Sequence, residues 1–556
     1  MKREKNEFLG LLCNLYLMAL LVALPLYTGE GYWKLGDTKY VLFRNVSYLC
    51  LGCWLVLGIP GRVRAVRQWR RPRFSIVDCA VAAYGGCVVV SALCSSYGQL
   101  AWTGYNEWYM GAISQLMFVG IYFFVSRQYD GSRYPIYLGE GAFFLVTFLG
   151  LLHRFGIDPL GLKVGWNNGD WEYNHMMSTL GNINWLCGFY SVALAWLLTH
   201  FMGERKRWRE VLLYLAVVAT FVLLGIQGSQ GGLLILGVGV MVCVWLGWGQ
   251  GNIFRKLALV LAGFCVCMPL VDWLTKLRKE KAAVAVDGNI FEQTVWYGWV
   301  MAAAVCICFY FLSRTGWLRK FGVRLKEGLQ QWAQFVIQRK LILLVVIGVS
   351  AAFVYYLLFG TGGSGLSGAD SERGIVSSVA DDGGGSGGLF GIDDNFGSGR
   401  GFLWRIAVEG FSQADWKDKL LGAGPDCYGE AVFNRLGAGT DVWHGEHWEG
   451  AIFTNAHNEI LSQLINVGIL GTVSYLAIFL AGLWRYCGRG RRSKRFRYSR
   501  WLGALAIAMY GAHSLISFQQ VLNAPLLFLT LGLCEYETRS REGALQLIHG
   551  GRYENK

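Results

Sequence analysis

Two residue types in this chain are set for chemistry at a membrane surface. His457 stands in Thr454-Asn455-Ala456-His457-Asn458-Glu459-Ile460-Leu461, where a long polar, glycine-rich segment ends and an apolar helix begins. The partial positive charge of a helix N-terminus opposes imidazolium, so a ring placed there stays neutral near pH 7 and can accept a proton from a hydroxyl. Arg400, in Gly397-Ser398-Gly399-Arg400, and Arg405 just over one turn later open a short amphipathic stretch of the same segment. A guanidinium grips phosphate by paired, charge-assisted hydrogen bonds, each worth about 1.5 to 3 kcal/mol. A structural histidine and a solvated or headgroup-contacting arginine are the other readings of these residues.

His444, Glu446, His447 and Glu449 raise the question of a metal. Their His-x-x-His spacing is weaker than HExxH, and no cysteine or third histidine follows at ligand spacing, so an exposed loop is the expectation. There is no GxSxG elbow, kinase signature or nucleotide-type phosphate loop. Cys50 and Cys53 form a CxxC inside an apolar run, where small-residue packing accounts for them. Only Cys427 falls in the large polar segment, so no disulfide framework is expected there.

The elements that position these residues are membrane spans. With 54% hydrophobic, 15% aromatic and 16% charged residues over 556 positions, the chain is too apolar for an ordinary soluble protein. Apolar runs long enough to cross a hydrocarbon core of roughly 30 Å recur throughout. They lie near 8–27, 40–59, 74–95, 109–125, 136–154, 183–201, 211–227, 229–248, 257–275, 293–312, 341–359, 459–483, 501–517 and 519–534. The expectation is an all-α polytopic membrane protein of about 12 to 14 transmembrane helices with one large extracytoplasmic loop. Residues 1–359 form an N-terminal multi-span region, 360–399 a Gly/Ser-rich linker, 400–457 an ordered loop, and 458–556 the last spans and tail. The first apolar run follows a basic start but lacks a small-residue cleavage site, which favours a retained span over a signal peptide.

The formal charge of +14 does not point to nucleic acid, because of where the charges sit. Lys and Arg crowd into alternate short loops, at Arg62–Arg73, Arg205–Arg209, Arg314–Lys340 and Arg489–Arg500. That bias assigns those loops and both termini to the cytoplasm and the 360–457 segment to the outside. The basic stretch Lys276–Glu292 is the exception, since it is assigned outside.

Taken in order, the motifs resemble those of the O-antigen ligase and O-antigen polymerase family. They are Gly181-Asn182-Ile183-Asn184-Trp185, Gly228-Ser229-Gln230-Gly231-Gly232, Ser398-Gly399-Arg400 with Trp404, Leu421-Gly422-Ala423-Gly424, His457-Asn458 followed by Leu461 and Gly468, and Asn523-Ala524-Pro525 near the end. The resemblance covers nearly the whole chain. It implies a C-type glycosyltransferase-like fold in a bacterial cytoplasmic membrane, acting without metal or cofactor. The implied donor is a polyprenyl diphosphate-linked glycan, and the acceptor a hydroxyl on glycan, lipid or protein. By the family pattern Arg400 matches the arginine that grips the diphosphate and His457 the essential histidine. Asn182, Asn184, Gln230, Arg405 and Asn458 are the accompanying candidates for substrate binding.

One departure stands out. Many relatives read Ser-Arg-Gly where this chain has Ser229-Gln230-Gly231, so one phosphate-binding cation is missing and Gln230 offers only a hydrogen bond. The spans near 293–359 and the Gly-rich linker read as an insertion relative to a twelve-span pattern. The alternatives are a protein O-oligosaccharyltransferase of the same family and a polyprenyl-linked glycan flippase or transporter. Transporters tend to carry paired intramembrane charges and structural repeats, whereas these spans hold few ionisable groups, Asp78, Glu140 and Asp272 among them.

Overall fold

A computed structural model describes residues 7–59, 74–167, 170–247, 250–278, 296–314, 396–437, 453–487 and 497–550. The His444–Glu449 group, the expected span at 341–359, most of the Gly-rich linker and most of the Lys276–Glu292 loop lie outside these residues. Every other expected span coincides with a helix. Nine helices among the described residues are long and apolar enough to cross a membrane, and the chain is an all-α multi-pass membrane protein. Helices at Ala112–Gln128, Trp296–Arg314, Tyr498–Ser514 and Ala524–Gly550 accompany those nine. The only strands described are the short antiparallel pair Met176–Met177 and Gly181–Asn182.

The helix Ile183–Gly203 is the axis of the bundle. Its side chains are apolar all round, and Leu186, Phe189, Tyr190, Trp196 and Leu197 are all buried. It packs against Arg207–Ile226, Gln230–Gly247, Tyr498–Ser514 and Ala524–Gly550. Two polar pairs lie inside this packing, where a low dielectric favours them: Trp196 Nε1 donates to Thr530 Oγ1 at 2.8 Å, and Thr147 Oγ1 lies 2.5 Å from the Tyr190 hydroxyl. The first apolar run, Glu7–Leu26, joins this core through Tyr16 and Leu17, and Tyr16 meets Ser47 Oγ at 2.7 Å. At its end Lys39 donates to the carbonyls of Leu24, Pro25 and Tyr27, satisfying oxygens that the helix cannot.

The helix Glu459–Cys487 is broken at Gly468, whose φ of 66° is not helical. The break exposes carbonyls that lipid cannot satisfy. The Leu421-Gly422-Ala423-Gly424 segment supplies the donors: Ala423 N–H bonds Ile465 O and Gly424 N–H bonds Asn466 O, both at 2.9 Å. Ser91 Oγ adds a third bond, to Asn466 O at 2.9 Å. A Cβ on Gly468 would lie 2.5 Å from Gly422 N, and one on Gly422 would lie 2.3 Å from Asn466 O, so backbone meets backbone here. The broken helix and the loop are thereby locked together, on the helix that begins two residues after His457.

The opposite end of the bundle is tied by ion pairs. Asp78 accepts from Tyr122 at 2.9 Å and pairs with Arg127 at 3.1 Å and with Arg539. Arg485 joins Glu535 at 3.2 Å and Glu542 at 2.7 Å. Glu140 pairs with His200 at 2.6 Å and Arg209 at 2.8 Å. Asp78, Glu140 and Glu535 therefore serve helix packing at the end remote from His457.

Candidate functional site

The helix Phe396–Ser412 carries Arg400. Its buried residues Leu403, Ile406, Ala407 and Phe411 recur at helical spacing, so one face packs on the bundle. Arg400 is on the same helix and close enough to His457 that its charge suppresses protonation of the ring. Arg400 is also within electrostatic reach of His513 and Cys187. Arg405 is placed otherwise: it is exposed, with its guanidinium over the Phe402 ring at 5.3 Å.

His457 is half-buried and has φ 46°, a backbone region that non-glycine residues seldom adopt. The turn is held by its own N–H, which donates to Asn455 Oδ1 at 3.0 Å. Asn458 is the helix cap: its Oδ1 accepts from Ile460 N–H at 3.0 Å and Leu461 N–H at 3.2 Å, and its Nδ2 donates to Leu515 O at 3.0 Å. With its side chain engaged this way, Asn458 positions the histidine. Burial, and after it the charge of Arg400, push the His457 imidazole down to about 4, so it is neutral at physiological pH.

The floor of the site comes from the Asn182–Asn184 and Gly228–Gly232 segments. Asn182 Oδ1 accepts from Asn184 N–H at 2.8 Å, capping the axial helix, while Asn184 Oδ1 accepts from Ser229 Oγ at 2.8 Å. Gln227 Nε2 donates to Cys187 Sγ at 3.0 Å. The two glutamines flanking this turn differ: Gln227 is buried, and Gln230 is exposed at the first position of its helix.

His513 was not singled out by its sequence context, because it sits in the apolar pattern of Tyr498–Ser514. It is buried between glycines: a Cβ at Gly188 would approach its Cε1 at 3.3 Å, and one at Gly231 its Cδ2 at 3.5 Å. Gly231 of the Gly228–Gly232 motif, with Gly188, thus makes room for a second imidazole. After His513 the chain does not run on as membrane helix until Ala524, and the polar residues Ser517, Gln519 and Gln520 are buried in the intervening turn.

Beyond His457 an aromatic row continues, Phe518 to Trp108 at 4.9 Å and Trp108 to Trp185 at 5.7 Å, both edge-on. Cys427, expected on the polar loop, is fully buried, with its thiol raised to about 12 by burial, and all fifteen cysteines are free. Among the described residues no group of three or more His, Cys, Asp or Glu side chains is placed to hold a metal ion.

Compared with models of known protein families and with curated proteins, the chain matches none. The arrangement offers a guanidinium for an anion, a neutral imidazole near it, and a polar floor at one end of an apolar bundle.

Proposed function

We propose that this chain is a metal-independent membrane glycosyltransferase that moves a glycan from a polyprenyl diphosphate carrier to an acceptor hydroxyl, in the manner of O-antigen ligases and polymerases. The observation that carries the reading is the pairing of Arg400 with a neutral His457 at one end of a bundle of apolar helices. Both the anion of a lipid diphosphate and its tail find their complements there. The crowding of basic residues into alternate loops of the sequence favours the outer face of a bacterial cytoplasmic membrane, with both termini inside.

A diphosphate is a good leaving group, so the enzyme must supply a cation for the departing charge and a base for the acceptor. Arg400 holds the diphosphate. His457 takes the acceptor proton as the hydroxyl oxygen bonds to the anomeric carbon, the carbon–oxygen bond to phosphate breaks with its electron pair leaving on the diphosphate, and the centre inverts. Bound diphosphate also offsets the Arg400 charge and adds negative charge near the ring, which raises the basicity of His457 when the donor is in place. Ser229 donates its hydroxyl to Asn184 Oδ1 and so orients that side chain, whose amide N–H is the donor offered to substrate, and the exposed Gln230 stands in the motif where an arginine is expected.

The paired, structural role of Asp78 and Glu140 weakens the flippase or transporter alternative, which needs intramembrane charges along a path. The test is transfer by purified, detergent-solubilised protein supplied with a polyprenyl diphosphate-linked glycan, chelator present throughout. Transfer that requires His457 supports the proposal, and transport of intact donor with no transfer overturns it.

A further inference from the structure

The loop 104–111, between two spans, reaches both sides of the candidate site. Its Trp108 ring stands edge-on to Phe518 at 4.9 Å and to Trp185 at 5.7 Å. Phe518 is the ring that stands against His457, and Trp185 follows Asn184 at the start of the axial helix. One indole therefore joins the histidine to the floor.

Apolar burial does not hold the tip of this loop, where Asn106 and Glu107 are exposed. The loop is closed at its neck instead. Asp426 Oδ2 accepts the N–H of Tyr105 at 2.9 Å and of Met110 at 3.0 Å, so one oxygen ties both ends. Both ends need glycine: a Cβ on Gly104 would lie 2.4 Å from that oxygen, and one on Gly111 would lie 2.4 Å from Gly104 N. A second tie comes from Tyr109, whose ring stacks on Tyr40 at 4.0 Å and whose hydroxyl donates to Asp37 Oδ1 at 2.8 Å. Within the loop Glu107 and Tyr109 take φ of 74° and 52°, a region that non-glycine residues seldom adopt. Backbone of that kind persists only where its surroundings over-determine it, and what it delivers here is Trp108.

We infer that Asp426 is a positioning residue, which closes the 104–111 loop and, through Trp108 and Phe518, sets the His457 imidazole relative to the Asn184 floor. Its bearing on turnover rests on the transferase reading above; its hold on the imidazole does not. Asp426 is buried, and burial pushes its carboxyl up to about 7 against the two N–H bonds that lower it. With charge disfavoured in this way, the acceptor oxygen is the feature that matters, and an amide supplies one.

The test reads the imidazole directly. Diethyl pyrocarbonate modification near neutral pH, on the full chain in detergent, is followed by mass spectrometry for the His457 and His200 peptides. Asp426→Ala and Trp108→Leu each speed modification of His457, and Asp426→Asn keeps the rate of the unaltered protein. The double Asp426→Ala, Trp108→Leu variant is no faster than the faster single one, because the two residues act in series. His200, paired with Glu140 at the other end of the bundle, reacts at one rate throughout. In transfer, Asp426→Ala lowers kcat about tenfold and leaves the donor KM nearly unchanged. An unchanged His457 rate in folded Asp426→Ala, additive effects in the double variant, or an equal rise at His200 overturns the assignment. Where Asp426→Ala gives no folded protein, Trp108→Leu decides, since it leaves the neck closed, and an unchanged His457 rate there overturns the assignment as well. If the rates shift as described but no transfer is ever seen, the transferase reading fails while the positioning role stands. If transfer is seen and kcat is unchanged in folded Asp426→Ala, the positioning role fails alone.

Discussion

Phe518 stands edge-on to His457, with ring centroids 5.1 Å apart and planes at 82°. The positive edge of one ring against the face of the other fixes the imidazole's orientation, a contact worth about 0.5 to 1.5 kcal/mol beyond burial. Phe518 also touches Trp108, so a single side chain braces the histidine and lines a small cavity beside it with Trp108, Asp426 and Glu459. Phe518→Leu is expected to lower the turnover number about tenfold while leaving donor binding nearly unchanged. The measurement is kcat and KM for transfer, and an unchanged kcat in folded protein would remove the positioning role.

The broken helix makes a stability prediction. Gly468→Ala places a methyl 2.5 Å from the Gly422 nitrogen and the Leu420 carbonyl, at a φ of 66°. Neither backbone can yield without breaking the bonds from Ala423 and Gly424, so the loss should exceed about 3 kcal/mol. Size-exclusion profiles of solubilised protein should show loss of the monodisperse peak. Gly237→Ala is the matched control, because a Cβ there meets nothing within 4 Å.

Protonation of His457 is the next. Its ordinary value of 6.5 is pushed down to about 4, so the folded ring stays neutral across a window in which an unfolded chain takes up a proton. The sign follows: acidification from about 6.5 towards 4 favours the unfolded state, and the ring's contribution to stability is complete above that window. Diethyl pyrocarbonate reacts with neutral imidazole, so modification of the His457 peptide, followed by mass spectrometry, should persist to near pH 4. Arg400→Gln removes one of the two causes and should move that midpoint upward. A midpoint near 6.5 in the unaltered protein would contradict the burial and the neighbouring charge.

These residues also show what a sequence can disclose. Helices were legible because runs of about 20 apolar residues have few other fates. His457 and Arg400 were legible as types at a composition boundary, and Gly422 and Gly468 as motif glycines whose cause, a backbone crossing, needed coordinates. His513 was hidden because one polar residue scarcely changes the apolar pattern of Tyr498–Ser514. The expected span at 519–534 began too early for a related reason: Gln519 and Gln520 sit in a short apolar surrounding, but Asn523 Oδ1 accepts the Gln520 N–H at 2.9 Å and Pro525 starts the helix afresh. Asp426 and Glu459 could not be paired from sequence, since the tertiary crossing at Gly422 and Gly468 is what brings them to one cavity. Near Ser229, a one-dimensional reading had no means to tell that Gln227 turns inward and Gln230 outward.

Orientation can be tested without activity. Gln413 is exposed beside the Arg400 helix, and Lys206 is exposed at the other end of the bundle. A membrane-impermeant maleimide applied to intact cells should label Gln413→Cys and spare Lys206→Cys until the membrane is opened. Cys427 is unsuited to this purpose because it is buried. Labelling of Lys206→Cys alone would reverse the orientation and place the site in the cytoplasm.

The pairing of Arg400 with His457 yields the most demanding prediction. If the two act in one step, His457→Ala should keep expression and binding of the lipid-linked donor while transfer falls by about two orders of magnitude or more. Arg400→Ala should weaken donor binding as well as turnover, since the leaving diphosphate loses its cation in the ground state and in the transition state. Arg400→Lys should restore part of the loss, because the charge returns without the planar fork that makes two parallel bonds. The double variant should be little worse than the worse single one, as groups serving one transition state are not additive. Each variant must first give a monodisperse peak, so that unfolding is not read as lost catalysis. Full transfer by a well-folded His457→Ala protein would exclude the histidine as base, and additive losses in the double variant would mean that Arg400 and His457 serve separate steps.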